Sequence, residues 1–76
     1  MNWKKLAKKY KKNYTHDIFA RGRESYSIWG GAVKLYCDIN EYGKFYNVVT
    51  NDGIHEFSNF KEASIFFEKE CKNELS

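Results

Sequence analysis

The chain has 76 residues, which is enough for one small domain spanning residues 1–76. Such a domain buries only ~60% of the surface of its unfolded chain, but six Phe, six Tyr and two Trp supply large side chains for a core. The net charge of +3 is divided unevenly, because residues 1–23 carry six lysines and two arginines against one acid, Asp17. So short a chain hardly encloses a catalytic cleft and has no long apolar run, so we expect neither an enzyme nor a membrane protein.

Residues 3–14 combine a helical repeat of apolar side chains with a dense cluster of lysines. Trp3, Leu6, Ala7, Tyr10 and Tyr14 recur at intervals of three and four, which places them on one side of a helix. The remaining circumference carries Lys4, Lys5, Lys8, Lys9, Lys11 and Lys12. We therefore predict a basic amphipathic helix over residues 1–14.

The middle of the chain has the alternation that is typical of strands. Residues 15–25 lack clear periodicity and predict a loop or irregular strand, with an exposed Arg21-Gly22-Arg23 segment. From Tyr26 the period is two, and Gly30-Gly31 predicts either a hairpin turn with Trp29 opposite Ala32 or a bulge in one long strand. With further turns at 40–43 and 51–53, residues 26–57 predict an antiparallel meander of three to four strands.

A second helix is predicted over residues 59–73, with Ser58 or Asn59 as its N-cap. One side of this helix is apolar and consists of Phe60, Ala63, Phe67 and Cys71. The predicted fold class is therefore α+β, with an N-terminal helix, a three- to four-stranded antiparallel meander sheet and a C-terminal helix.

The alternation gives the predicted sheet two apolar faces, and two arrangements of the helices are possible. Either one helix covers each face, or both helices cover one face and leave Trp29, Lys34, Tyr36 and Phe45 exposed as a surface on which unpaired bases could stack. Because so small a domain has little apolar surface to spare, we expect the N-terminal helix to cover these residues.

The potential ligating and nucleophilic residues are widely separated. Cys37 and Cys71 form no CxxC motif, and His16 and His55 form no HxxxH motif, so we predict neither a metal site nor a catalytic dyad. Gly30-Gly31 lacks the context of a phosphate-binding loop, so no cofactor is expected. The unpaired cysteines fit the reducing cytoplasm.

The lysines of the first helix, together with two arginines, form the strongest functional signal. Clustered basic side chains are typical of surfaces that bind phosphate backbones. The predicted site consists of Lys4, Lys5, Lys8, Lys9, Lys11, Lys12, Arg21 and Arg23. The competing interpretations are a helix face that is merely solvated and a basic arm that packs against the acidic remainder of the same chain.

Two functions are consistent with these features. The first is a non-enzymatic binding module that engages nucleic acid or another polyanionic surface, such as a nucleic-acid-binding protein. The second is a protein-directed inhibitor from a phage or mobile element that blocks a host defence nuclease, as anti-CRISPR and anti-restriction proteins do. Small size and a composition rich in residues with A/T-rich codons suggest the second. Its interface would use either exposed aromatic residues, namely Trp29, Tyr36 and Tyr42, or the acidic side of the C-terminal helix, where Glu62, Glu68, Glu70 and Glu74 would take the place of phosphates.

Overall fold

The structure, a computed structural model, describes residues 3–10 and 13–75. The elements in chain order are α1 (Trp3–Lys9), β1 (Tyr14–Ala20), β2 (Arg23–Gly30), β3 (Val33–Asn40), β4 (Gly43–Thr50), β5 (Gly53–Phe57) and α2 (Phe60–Leu75). The predicted α+β class is confirmed, but the sheet has five strands, not three to four. Neither described helix is both long and apolar enough to cross a membrane.

The sheet is a simple antiparallel meander in which sequence neighbours are also spatial neighbours, in the order β1-β2-β3-β4-β5. Two-residue turns join the strands at 21–22, 31–32, 41–42 and 51–52. Two-residue loops are the shortest common hairpin connection, and they fix the register between adjoining strands.

The additional strand confirms the second of the two alternatives predicted for residues 15–25, because β1 is an irregular strand with a register shift between Ile18 and Ala20. That segment belongs to β1 and to the beginning of β2, and Tyr14, which was assigned to the helix, is the first residue of β1. All seven residues of β1 are exposed. A strand without a buried side has no reason to alternate apolar and polar residues, so its sequence lacks the expected period.

Both helices pack on the same face of the sheet, which we call the covered face. Leu6 of α1 and Phe67 of α2 are fully buried in one cluster with strand residues such as Ile28, Leu35 and Val48. The expectation that α1 covers the second face is therefore wrong. Packing both helices together gives one continuous core in place of two thin ones, which suits a domain of this size.

The two helices run parallel to each other. The rings of Trp3 and Phe60 lie 5.8 Å apart, and those of Tyr10 and Phe67 lie 5.1 Å apart. Trp3 and Tyr10 are seven residues apart, as are Phe60 and Phe67. The two segments therefore run in the same direction, and the N-terminal ends of α1 and α2 lie at the same end of the sheet. Trp3 also contacts Tyr26 of β2, with ring centroids 5.2 Å apart.

The adjacent glycines at 30 and 31 have different structural roles. The turn contains Gly31 and Ala32, and Gly31 has a φ of 69°, a conformation that favours glycine. Gly30 is the last residue of β2, where a Cβ atom would overlap the Sγ atom of Cys71. The predicted Gly30-Gly31 turn is therefore wrong, and Trp29 pairs with Lys34 instead of Ala32. The partner of Trp29 moves by two residues, so the predicted face of each side chain is unchanged.

Helix α2 begins as the sequence predicts. The Oδ1 atom of Asn59 accepts a hydrogen bond of 2.8 Å from the backbone N–H of Glu62, as an N-cap side chain does. The predicted apolar side faces the sheet, with Ala63, Phe67 and Cys71 buried.

Candidate nucleic-acid interface

Helix α1 is short, so its orientation depends on packing. Seven residues form no stable helix in isolation, and the burial of Leu6 and Ala7 against the sheet holds this one in place. The side chains on its outer side are exposed, and we call them the basic face of α1. This face consists of Lys4, Lys5, Lys8 and Lys9. The predicted residues Lys11 and Lys12 lie outside the described residues.

The acidic part of the chain neutralises this face at Lys9. The Nζ atom of Lys9 lies 2.8 Å from Oε2 of Glu68 on α2. Among the side chains that the structure describes, those of residues 3–10 and 13–72, no carboxylate forms an ion pair with Lys4 or Lys8. The interpretation in which the body of the protein absorbs the helix charge therefore holds for Lys9 and fails for these two lysines.

The spacing of the lysines destabilises the helix through repulsion between like charges. Lys4 and Lys8 are four residues apart, as are Lys5 and Lys9, so each pair brings two positive charges onto neighbouring turns. A like-charge pair at this spacing destabilises a helix by ~0.2–0.5 kcal/mol. Glu68 already offsets the charge of Lys9, so a bound anion would chiefly relieve the repulsion between Lys4 and Lys8.

A groove between α1 and β1 places aromatic side chains beside these lysines. We call it the α1–β1 groove. It has a volume of about 320 Å³ and is lined by Trp3, Lys4, Ala7, Lys8, Tyr14, His16 and Tyr26. The imidazole of His16 stacks on the ring of Tyr26 at 4.2 Å with an interplanar angle of 9°, and its Nε2 atom lies 3.2 Å from Oε1 of Glu24. The groove thus combines cations for phosphates with flat rings for bases.

The two predicted arginines lie in a different feature, which we call the turn crevice. Arg21 and Arg23 flank Gly22 in the β1–β2 turn and face the β3–β4 turn with Glu41 and Tyr42 across a space of about 350 Å³. This crevice shares no lining residue with the α1–β1 groove. The structure therefore separates the arginines from the lysines and brings them together with Tyr42, which is 82% exposed.

The other predicted aromatic residues lie on the side of the sheet that neither helix covers, which we call the open face. Trp29 is 44% exposed there, and Tyr36 lies on the adjoining strand. The Nζ atom of Lys34 lies 5.4 Å from the ring centroid of Trp29 and 4.8 Å from that of Tyr36. Because α1 packs on the covered face, these residues and the basic face of α1 lie on opposite sides of the sheet.

A further cavity of about 490 Å³ lies between the N-terminal ends of the helices and the sheet. Its walls include Trp3, Cys37, Tyr46 and Phe60, and the exposed Lys4 and Lys44 contribute to its lining. Burial raises the pKa of the Cys37 thiol, although Lys44 and a hydrogen bond with Tyr46 oppose the shift. The thiol is therefore protonated at neutral pH, and a protonated thiol is a poor nucleophile.

The sequence predictions missed three residues of these surfaces. Tyr14 was assigned to the helix, His16 to a connector, and Lys44 to an ordinary strand position. Tyr14 and His16 acquire their neighbours because β1 forms one wall of the α1–β1 groove. Lys44, on β4, pairs with Ile39 and lines the larger cavity. A tyrosine and a histidine at alternate positions, 14 and 16, were the available signal for a strand face.

In the part of the chain that the structure describes, no three or more His, Cys, Asp or Glu side chains lie close enough together to hold a metal ion. The chain matches no protein-family model, and comparisons with curated proteins and with solved structures gave no significant match.

Proposed function

We propose that this chain is a small binding module that engages nucleic acid through the basic face of α1. The observation that carries the proposal is the exposure of Lys4 and Lys8 without an intramolecular carboxylate partner among the described residues. Lysines held on one side of a docked helix act as point charges on phosphate groups.

The α1–β1 groove favours single-stranded nucleic acid over a duplex. Tyr14 is 47% exposed beside Lys4 and Lys8, and the His16–Tyr26 stack forms part of the same lining. Unpaired bases stack on aromatic side chains with a gain of ~1–3 kcal/mol per base, whereas the bases of a duplex are already stacked on one another. The contacts are to phosphates and ring faces, so we expect weak sequence preference and steep salt dependence.

The test compares charge reversals on the two helices. Binding of a labelled single-stranded oligonucleotide is measured by fluorescence anisotropy for the wild type and for the double variant Lys4→Glu/Lys8→Glu. The matched control, Lys61→Glu/Lys69→Glu, makes the same change in net charge at two exposed positions of α2. We expect about tenfold or greater loss of affinity for the α1 variant and a much smaller loss for the control. Equal losses would show that the response follows net charge alone.

A protein-directed inhibitor is the second candidate, and the turn crevice favours it. Tyr and Arg are enriched among residues that dominate protein interfaces, and the crevice gathers Arg21, Arg23 and Tyr42 at one end of the sheet. For this function, a nuclease captured after nucleic-acid digestion should be inhibited by the purified chain. Tyr42→Ala should abolish capture and inhibition, and Lys4→Glu/Lys8→Glu should preserve both.

A further inference from the structure

The open face of the sheet carries its side chains in rows that cross the strands, and three of these rows lie between a row with Arg23 and Asn40 at one end and the turns at the other. The pairing registers place Trp29, Lys34, Val49 and Ile54 in the first row; Thr15, Ser27, Tyr36, Asn47 and Glu56 in the middle row; and Asp17, Ser25, Asp38 and Phe45 in the third row. The first row is apolar and positive, whereas the third row is acidic with one large ring. The two outer rows are therefore complementary to each other.

The open face also has recessed and projecting positions that could fit into one another. Ser25 and Ser27 form its floor and are only 4% and 7% exposed, whereas Trp29 and Phe45 project from it with 44% and 46% exposure. Lys34 lies over two aromatic rings and has no ion-pair partner among the described residues. A partner that supplies a carboxylate opposite Lys34 and a depression opposite Trp29 would fit this surface.

We propose that the open face binds the open face of a second copy of this chain, with a two-fold axis that crosses the strands along the middle row. This operation lays each strand over its own copy and exchanges the two outer rows. Lys34 then faces Asp38 of the second copy, Trp29 faces Ser25, and Val49 faces Phe45. Each of these contacts occurs twice, as a two-fold interface requires.

The alternative two-fold axis, parallel to the strands, is disfavoured by charge. It would place Lys34 opposite Lys34 and Asp38 opposite Asp38, and like charges across an interface are unfavourable. With the axis across the strands, Glu56 is the one charged residue that faces its own copy. It is exposed on the edge strand β5, where the twist of two packed sheets separates their corners.

The size of the face limits the strength of this association. Five strands at ~4.8 Å spacing and three rows about 7 Å apart give a flat area of roughly 500 Å² per copy. A standard specific interface buries about 800 Å² per partner. We therefore expect a concentration-dependent dimer of micromolar affinity, not a permanent one. The basic face of α1 in each copy would remain on the outside of the dimer, so dimerisation does not block the proposed nucleic-acid site.

The test is a charge exchange followed by sedimentation equilibrium of the purified chain without nucleic acid. Lys34→Asp and Asp38→Lys each create like-charge contacts and should weaken dimerisation by about tenfold or more. The double variant Lys34→Asp/Asp38→Lys restores opposite charges and should recover the dimer. A monomeric wild type at millimolar concentration, or a double variant as weak as the single variants, would overturn the proposal.

A cross-linking experiment tests the axis without perturbing charge. Middle-row residues face their own copies, so Asn47→Cys on β4 should form a dimer with a short bis-maleimide, whereas Val49→Cys on the same strand, opposite Phe45, should form far less. The native thiols are buried and serve as the background. Equal cross-linking of the two variants is the result expected for an axis along β3, and it would refute the proposed axis. If the wild type is monomeric and Lys34→Asp weakens oligonucleotide binding, the open face is a base-stacking surface and the dimer is refuted. Loss of oligonucleotide binding in Lys4→Glu/Lys8→Glu would leave the dimer unaffected, so the two proposals fail separately.

Discussion

Replacement of Gly30 by alanine tests how closely α2 and α1 approach the sheet. A Cβ atom at this position would overlap Cys71 Sγ and would lie 3.1 Å from Cε1 of Tyr10 and 3.2 Å from Cζ of Phe67. The Sγ atom also donates a hydrogen bond of 3.6 Å to the carbonyl oxygen of Gly30. The added methyl group therefore has no space unless a helix moves.

The sign of the effect makes this variant informative. Gly30 is not among the glycines with positive φ, so its backbone accepts alanine, and in an open strand the change would stabilise the fold by roughly 0.5–1 kcal/mol. Overpacking a well-filled core instead costs ~1–3 kcal/mol. For a domain of this size, 1 kcal/mol corresponds to about 4–8 °C in melting temperature. We expect Gly30→Ala to lower the melting temperature by several degrees.

Thermal and urea unfolding followed by circular dichroism measure this change. Cys71→Ala removes the overlapping sulfur, so the double variant Gly30→Ala/Cys71→Ala should be less destabilised than the sum of the two single variants, by about 0.5 kcal/mol or more. A Gly30→Ala variant as stable as the wild type would refute the close approach of the helices at this point.

Three further predictions concern stability. Leu6→Ala removes a fully buried side chain from α1 and should cost ~2–5 kcal/mol in urea unfolding, whereas Ile65→Ala, at a position 61% exposed, should change stability by less than about 0.5 kcal/mol. Asn59→Ala removes the α2 N-cap and should cost ~0.5–2 kcal/mol; an unchanged urea midpoint would contradict the observed cap. Burial raises the pKa of Cys37 from its ordinary value of 9.0 and also raises that of Tyr46. The folded state therefore holds these protons more tightly, so the urea midpoint should fall as pH rises above 9 and should fall less in Cys37→Ala.

The parts of the fold that were predictable are those in which burial leaves a periodic pattern. Helix α2 combines a cap at Asn59 with an apolar side that faces the core, and both features are local. Strand β3 alternates between buried and partly buried residues because one side is covered. Strand β1 has no covered side, so its sequence shows little alternation beyond Tyr14 and His16.

The misplaced turn shows a second limit of local patterns. Gly30 and Gly31 are equivalent as sequence letters, but one is required by backbone conformation and the other by the approach of Cys71, which is distant in sequence. The same limit applies to the functional surface. The lysines of α1 were predictable from their spacing, whereas the neighbours of Lys4 and Lys8 in the α1–β1 groove depend on the pairing of β1.

The choice of covered face also could not be predicted from alternation alone. Both faces carry large apolar side chains, and Trp29 and Phe45 were as suitable as Tyr26 for contact with α1. The decisive contacts are those between the helices, where Trp3 meets Phe60 and Tyr10 meets Phe67. Each of these pairs joins residues from opposite ends of the chain, so a pattern in a short stretch of sequence cannot reveal it.

The salt dependence of oligonucleotide binding tests the central claim most directly. If Lys4 and Lys8 each contact a phosphate of a single strand, they together contribute about −1.4 to the slope of log K against log salt, because each contact contributes about −0.7. Lys4→Gln/Lys8→Gln should remove this contribution, and Lys61→Gln/Lys69→Gln on α2 should leave the slope unchanged. A slope that is the same in all three proteins, or no binding at low salt, would contradict the assignment of the basic face of α1 as the nucleic-acid site.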